Sequence, residues 1–174
     1  MYNEYYGLNC RDCRNDLFIE ERGDSMSINI KKSIRHCLST KGNQIWSINP
    51  DASVFDALRL MAEKDIGAVL VLENGKLVGI FSERDYARKI ILQGKSSRDT
   101  VVSEIMTRRV LCVDVEQSLE DCMILMTEKK VRHLPVLENN RLIGVISIGD
   151  VVKEIIAEQG FVIEQLENYI TGQR

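Results

Sequence analysis

The sequence predicts a mixed α/β (α+β) fold in which one β-α-β-β-α unit occurs twice. Three observations predict it. Leu77-Val78-Gly79-Ile80-Phe81-Ser82-Glu83-Arg84-Asp85 recurs 65 positions later as Leu142-Ile143-Gly144-Val145-Ile146-Ser147-Ile148-Gly149-Asp150. The match extends without a gap from Trp46 to Ile91, pairing Ser53, Asp56, Met61, Val71, Leu72, Glu73, Asn74 and Gly79 with identical residues at the same offset. Within each copy the apolar pattern changes between helical and extended periods at matching places. A three-stranded sheet with helices on one face leaves apolar surface uncovered. The two units are therefore expected to pack sheet to sheet, with pseudo-twofold symmetry.

Each unit opens with a short strand, Ile45–Ile48 and then Val110–Val113. A helix follows, opened by Ser53 or Ser118 with Asp56 or Asp121 three residues on, an acidic variant of the capping box. Its buried stripe is Val54, Ala57, Leu58 and Met61 in the first copy, and Leu119, Cys122, Met123 and Met126 in the second. Two strands come next. Ala68–Leu72 joins Leu77–Phe81 through Glu73-Asn74-Gly75-Lys76, whose Asn-Gly is a hairpin signal. Leu134–Leu137 joins Leu142–Ile146 through Glu138-Asn139-Asn140-Arg141, where Asn140 suits the left-handed position that Gly75 fills. A helix after Ser-x-x-Asp closes each unit.

Outside the repeat, residues 1–25 have no sustained period, and Cys10-Arg11-Asp12-Cys13 is a lone C-x-x-C. It suits a redox pair or half a zinc site, with His36-Cys37 as further ligands, but lacks the second pair or the βαβ setting that would give it meaning. Met26 offers an alternative start that leaves 1–25 as an extension. Residues 26–44 form a leading segment in which Ile28, Ile30, Ile34 and Leu38 have loose helical spacing and Ser39–Asn43 reads as a turn. The expected divisions are then repeat one at 45–93, a solvated linker at 94–109, repeat two at 110–158 and a C-terminal helix at 159–174. Gly94-Lys95-Ser96 lacks the earlier glycine of a P-loop, because position 89 is Lys. In the last segment Gly160 is a candidate kink, and Val162, Leu166, Tyr169 and Ile170 make an apolar stripe suited to its own module or to a second chain.

Composition narrows the function classes. The chain has 174 residues, a formal charge of −3 and no apolar run near the roughly 20 residues that cross a membrane. Nucleic-acid binding is disfavoured for want of a basic surface. The N-terminus lacks the basic and apolar regions of a signal peptide, and five cysteines do not make a disulfide framework, so a reducing cytoplasmic setting is expected. Two histidines, with no nucleophile constellation and no metal cluster, predict no enzyme.

The candidate site lies where each buried strand ends in Ser-x-x-Asp. Capping explains that pattern at least as well as binding does. A strand end running into a helix N-terminus also presents free N–H groups and a positive dipole end to an anion. Ser82 and Ser147 could meet a phosphate there, and Asp85 and Asp150 could accept hydrogen bonds from a ribose. Arg84, Arg88 and Lys89 add positive charge beside the first copy, which suits a phosphorylated ligand, although Arg88 and Lys89 also read as solvated helix residues, Lys89 more so.

Residues 45–158 resemble a tandem pair of cystathionine-β-synthase-type (CBS) domains, a Bateman module. The resemblance rests on the duplicated unit, on the two Ser-x-x-Asp runs and on Val131-Arg132-His133-Leu134-Pro135-Val136. The run Ser82–Lys89 is also similar to a stand-alone CBS-pair subgroup of bacteria and plant organelles. The resemblance implies regulatory modules that bind adenosyl ligands (AMP, ADP, ATP, S-adenosylmethionine or NAD(H)) in clefts between the units and pair into disc-shaped homodimers. It places Asp85 and Asp150 at ribose-binding positions, Ser82 and Ser147 beside the phosphates, and Arg132 and His133 at a basic pair reaching the phosphates. Repeat one has Gly67-Ala68 where that pair stands, and Gly149 replaces Arg84 in repeat two, so two sites of unequal affinity are expected. The regulated target would be a separate effector protein. The competing expectation is a protein-interaction or redox adaptor using Cys10/Cys13 or the C-terminal helix.

Overall fold

In the computed structural model, residues 33–171 are described. Cys10, Cys13 and the start of the leading segment lie outside them. The chain divides into two compact units, which among the described residues are 44–112, and 33–43 with 113–171.

The first unit contains β1 (Ser47–Ile48), α2 (Val54–Lys64), β2 (Ala68–Glu73), β3 (Lys76–Ser82), α3 (Glu83–Tyr86), a π-helical turn (Ala87–Ile91) and α4 (Val102–Ile105). The second contains α1 (Ile34–Lys41), β4 (Val113–Asp114), α5 (Leu119–Glu128), β5 (His133–Glu138), β6 (Arg141–Ser147) and α6 (Ile148–Thr171). The sheets have the same topology, β1-β2-β3 and β4-β5-β6. In each, the first strand is parallel to the second and the second antiparallel to the third. The duplicated β-α-β-β-α order is thus observed, with opening strands shorter than expected and hairpin strands slightly longer.

Local chemistry explains the elements. Ser53 and Ser118 accept from the N–H of Asp56 and Asp121, both at 3.1 Å, which caps α2 and α5. Val54, Ala57 and Met61 are buried in the first unit's core with Val69, Val71 and Phe81. Leu119, Cys122 and Met126 are buried in the second, while Leu58 and Met123 are half-buried. In both hairpins the two central residues have positive φ: 50° and 77° at Asn74 and Gly75, 49° and 62° at Asn139 and Asn140. Two positive values mark the type I′ turn that fits strand twist, and Asn tolerates it where Gly is absent.

Three expectations change. The stretch 94–109 is not a solvated linker throughout, because Val102, Ile105 and Met106 are core residues and Thr100 is buried. Ser39–Lys41 is not a turn but the last turn of α1, closed by the Gly42 N–H to Leu38 O at 2.9 Å with Gly42 at φ 91°. Gly160 does not interrupt α6.

The first two corrections share a cause. Each unit takes an extra helix from the segment that precedes the other unit's repeat. Val102 N–H bonds Ala52 O (2.9 Å) in the first unit, and Ile34 N–H bonds Gln117 O (3.0 Å) in the second. Gln117 is Ala52 displaced by the repeat offset, so α4 and α1 occupy equivalent places. Both bring an apolar side chain onto the glycine of the third strand. A Cβ on Gly79 would lie 2.5 Å from Met106 Sδ, and one on Gly144 2.9 Å from Leu38 Cδ2.

Candidate functional site

The two Ser-x-x-Asp motifs fold alike. Strand β3 ends at Ser82, paired with Ala68, and Glu83 N–H still bonds Gly67 O at 3.1 Å before the chain turns into α3. Strand β6 ends at Ser147, paired with His133, and Ile148 N–H bonds Arg132 O at 2.9 Å. Each Ser is an N-cap. Asp85 N–H donates to Ser82 Oγ (3.3 Å) and Ser82 N–H to Asp85 Oδ2 (3.1 Å). Asp150 N–H donates to Ser147 Oγ (3.2 Å) and Ser147 N–H to Asp150 Oδ2 (2.8 Å). In both, the Ser hydroxyl donates to the same carboxylate oxygen at 2.7 Å. Capping is therefore real in both copies. It also fixes a carboxylate at the N-terminus of a helix, at the end of a strand.

The surroundings differ. Beside Asp85, the π-helical turn brings Lys89 Nζ to Oδ1 at 2.7 Å, and the same ammonium donates to Ile105 O at 2.7 Å. Thr107 Oγ1 donates to Asp85 Oδ1 at 3.2 Å. Lys89 is thus tied to the motif's carboxylate and to the backbone rather than pointing freely into solvent. In repeat two its position is Glu154, and the cation comes from elsewhere: Lys41 at the end of α1 reaches Asp150 Oδ2 at 2.5 Å. Burial works to raise the pKa of Asp150. The Lys41 hydrogen bond, the Ser147 backbone and hydroxyl, and the Lys41 charge outweigh it and hold the carboxyl below its ordinary value.

The structure brings Arg132 and His133 to the repeat-two motif through the pairing of β5 with β6. His133 is half-buried, and burial pushes its pKa down; Lys41 and Arg132 push it further and Asp150 pulls it back. Arg132 is exposed, as is Arg84 on α3. The seven expected residues therefore fall into two local groups: Ser82, Arg84 and Asp85 in one unit; Arg132, His133, Ser147 and Asp150 in the other. Lys41, Lys89 and Thr107 complete them. Lys41 and Thr107 sit on segments outside the aligned repeat. Those segments nonetheless match each other, Ile34, Cys37, Leu38 and Ser39 against Val102, Ile105, Met106 and Thr107, at an offset of 68.

The thiols within the described residues, Cys37, Cys112 and Cys122, are buried. Burial, with the nearby Asp121 and Cys37, pushes Cys122 up to about 12, where it is not a nucleophile at neutral pH. Among the described residues no group of His, Cys, Asp and Glu is arranged to hold a metal ion.

The CBS domain family model matches residues 38–92 and 102–157. The chain belongs to the CBS-domain family. Both matches start within the leading helices α1 and α4, so the family unit includes the segment that the 65-residue repeat omits. Among relatives, the chain is 40% identical over 139 residues to the mitochondrial CBS domain-containing protein CBSX3 of Arabidopsis thaliana, covering 77% of this chain and 67% of that one. It is 50% identical, with a TM-score of 0.72, to a CBS-domain protein of Burkholderia ambifaria MC40-6 provisionally assigned to signal transduction; the likeness covers 74% of this chain and 96% of that one. The fold is shared with the CBS domain pair of protein MJ0100, solved with 5′-methylthioadenosine and S-adenosyl-L-methionine, at 21% identity and a TM-score of 0.65, over 73% of this chain and 98% of that one.

Proposed function

We propose that this CBS pair is a regulatory module that binds an adenine nucleotide or a related adenosyl ligand at its two Ser-x-x-Asp strand ends. It performs no chemistry on the ligand and modulates a separate effector protein. The carrying observation is the pair of carboxylates, Asp85 and Asp150, each fixed by a capping box and each beside an ammonium group. A carboxylate so held accepts from vicinal ribose hydroxyls. The adjacent helix N-termini, the first accompanied by Arg84 and the second by Arg132 and His133, suit the phosphates. AMP, ATP, NAD(H) and S-adenosylmethionine share the adenosyl part that this arrangement reads. The adenosyl ligands held by the MJ0100 pair support that class.

Regulation follows from differential affinity: a ligand that prefers one state of the module shifts it towards that state and alters its hold on a partner. We assign a homodimer as the working form. In its support, α6 from Ile156 onward exposes Ile156, Phe161, Ile163, Leu166, Tyr169 and Ile170. Among the described residues no helix is long and apolar enough to cross a membrane; a cytoplasmic location belongs to the same proposal. The test is a calorimetric and thermal-shift panel of AMP, ATP, NAD(H) and S-adenosylmethionine on the wild type, Asp85→Ala and Asp150→Ala. At least one ligand is expected to bind, and each substitution to remove one site. Failure of all four to bind, or product formation from a nucleotide, sinks the proposal.

A further inference from the structure

An ionised carboxylate offers about four lone-pair positions, two on each oxygen. At Asp85 both oxygens are engaged by groups of the chain. Oδ2 accepts from the Ser82 N–H (3.1 Å) and hydroxyl (2.7 Å), and Oδ1 accepts from the Thr107 hydroxyl (3.2 Å) and lies 2.7 Å from Lys89 Nζ in an ion pair. At Asp150 three donors all meet Oδ2: the Ser147 N–H (2.8 Å), its hydroxyl (2.7 Å) and Lys41 Nζ (2.5 Å). Among the described residues no donor is hydrogen-bonded to Asp150 Oδ1. The Asp150 side chain is also the more exposed, 25% against 15% for Asp85.

We propose that the Asp150 site takes a ligand's vicinal diol first, and that Thr107 is the residue that holds the Asp85 site back. This rests on the reading that these carboxylates receive ribose hydroxyls. A hydroxyl arriving at Asp150 Oδ1 displaces no hydrogen-bonded donor of the described residues. At Asp85 it meets an Oδ1 already engaged by the Thr107 hydroxyl and the Lys89 ammonium, one of which must give way. Lys89 is anchored a second time on Ile105 O at 2.7 Å, so it stays. The Thr107 bond is longer than the usual O–H···O of about 2.7–2.8 Å and yields instead. Thr107 is held in place by its backbone, which exchanges two hydrogen bonds with Ile80, at 2.8 and 3.0 Å. Its counterpart in the other unit, Ser39, cannot play the part. There the helix continues, and the Ser39 hydroxyl donates to His36 O at 2.7 Å.

The experiment is calorimetric titration of the full chain with AMP, ATP and S-adenosylmethionine, comparing the wild type with Thr107→Val, Thr107→Ser, Asp85→Ala and Asp150→Ala. Valine keeps the β-branched shape and removes the donor. The wild type is expected to show a tighter and a weaker class. Thr107→Val tightens the weaker class roughly tenfold, the lower end of the worth of a hydrogen bond to a charged group, and leaves the tighter class unmoved. Thr107→Ser restores the wild-type pattern, and Asp150→Ala leaves only the weaker class. Two equal classes, an unimproved weaker class in Thr107→Val, or survival of the tight class in Asp150→Ala overturns the inference alone. No binding of any of the three ligands by the wild type overturns the parent reading, and this one with it.

Discussion

The carboxylate that ends repeat one is neutralised from within its own helix, whereas the one that ends repeat two is neutralised from outside its repeat. Lys89 stands one turn beyond Asp85; at the matching place beyond Asp150 the chain has Glu154, and Lys41 arrives on α1. The caps themselves are the same, atom for atom. A cap depends on two residues three positions apart, so identical motifs give identical caps. The charge around a cap depends on where other segments end, and there the units part. In the first, the leading helix stops at Ile105 and the chain runs beside β3 as Thr107. In the second, it continues about one turn further, to Lys41.

That contrast is open to attack, most forcefully at the glycines beneath the leading helices. Gly79→Ala puts a Cβ 2.5 Å from Met106 Sδ and 3.2 Å from the Thr107 carbonyl oxygen, a backbone atom in a bridged strand. Gly144→Ala meets only the flexible end of Leu38, at 2.9 Å. Urea unfolding should show Gly79→Ala destabilised by about 2–3 kcal/mol and Gly144→Ala by about 1 kcal/mol. The reverse order would mean that the two helices do not sit on the glycines as described.

A smaller effect isolates Lys41. Asp150, held below its ordinary pKa, contributes stability that is fully present above the unfolded-state value and is lost as pH falls through the folded-state one. Lys41→Met removes the largest lowering influence and leaves burial opposed by the Ser147 hydrogen bonds alone, so the carboxyl pKa rises. Its acid unfolding should therefore begin at a higher pH than that of the wild type, as followed by circular dichroism. An unchanged acid limb would sever Lys41 from Asp150 in solution.

Smaller still is a proton count confined to repeat two. His133 is held below 6.5, so it is neutral at pH 7, and stability declines as pH falls below 6.5 and the unfolded chain takes up the proton first. A phosphate seated beside Arg132 and His133 offsets the positive charges and raises the His133 pKa. AMP binding just below pH 6.5 should then take up a fraction of a proton, measured from binding enthalpies in buffers of different ionisation enthalpy. Asp150→Ala should abolish the uptake and Asp85→Ala should leave it.

Much of this architecture was legible in the chain. The 65-residue offset, the capping serines Ser53 and Ser118, and the Asn-Gly and Asn-Asn turns rest on contacts within a few residues, which sequence patterns record. The seven expected site residues lie where the strand ends put them. Lys41, Lys89 and Thr107 were not legible in the same way, because their roles come from long-range placement. Lys89 looks like an exposed helix residue until the π-helical turn directs it to Ile105 O. Thr107 and Lys41 lie in stretches that read as linker and turn. Only the fainter 68-residue match of Ile34, Cys37, Leu38 and Ser39 with Val102, Ile105, Met106 and Thr107 hints that both stretches are structural parts of a unit.

The most direct test is equilibrium dialysis of radiolabelled AMP, ATP and S-adenosylmethionine against the wild type and against the double variant Asp85→Ala/Asp150→Ala. The variant's fold is checked first, since each substitution removes half of a capping box at a cost of about 1 kcal/mol. Two unequal sites per chain are expected in the wild type for at least one of these ligands, and none in the folded double variant. Undiminished binding by the double variant would contradict the assignment of the two carboxylates as the ligand-holding groups.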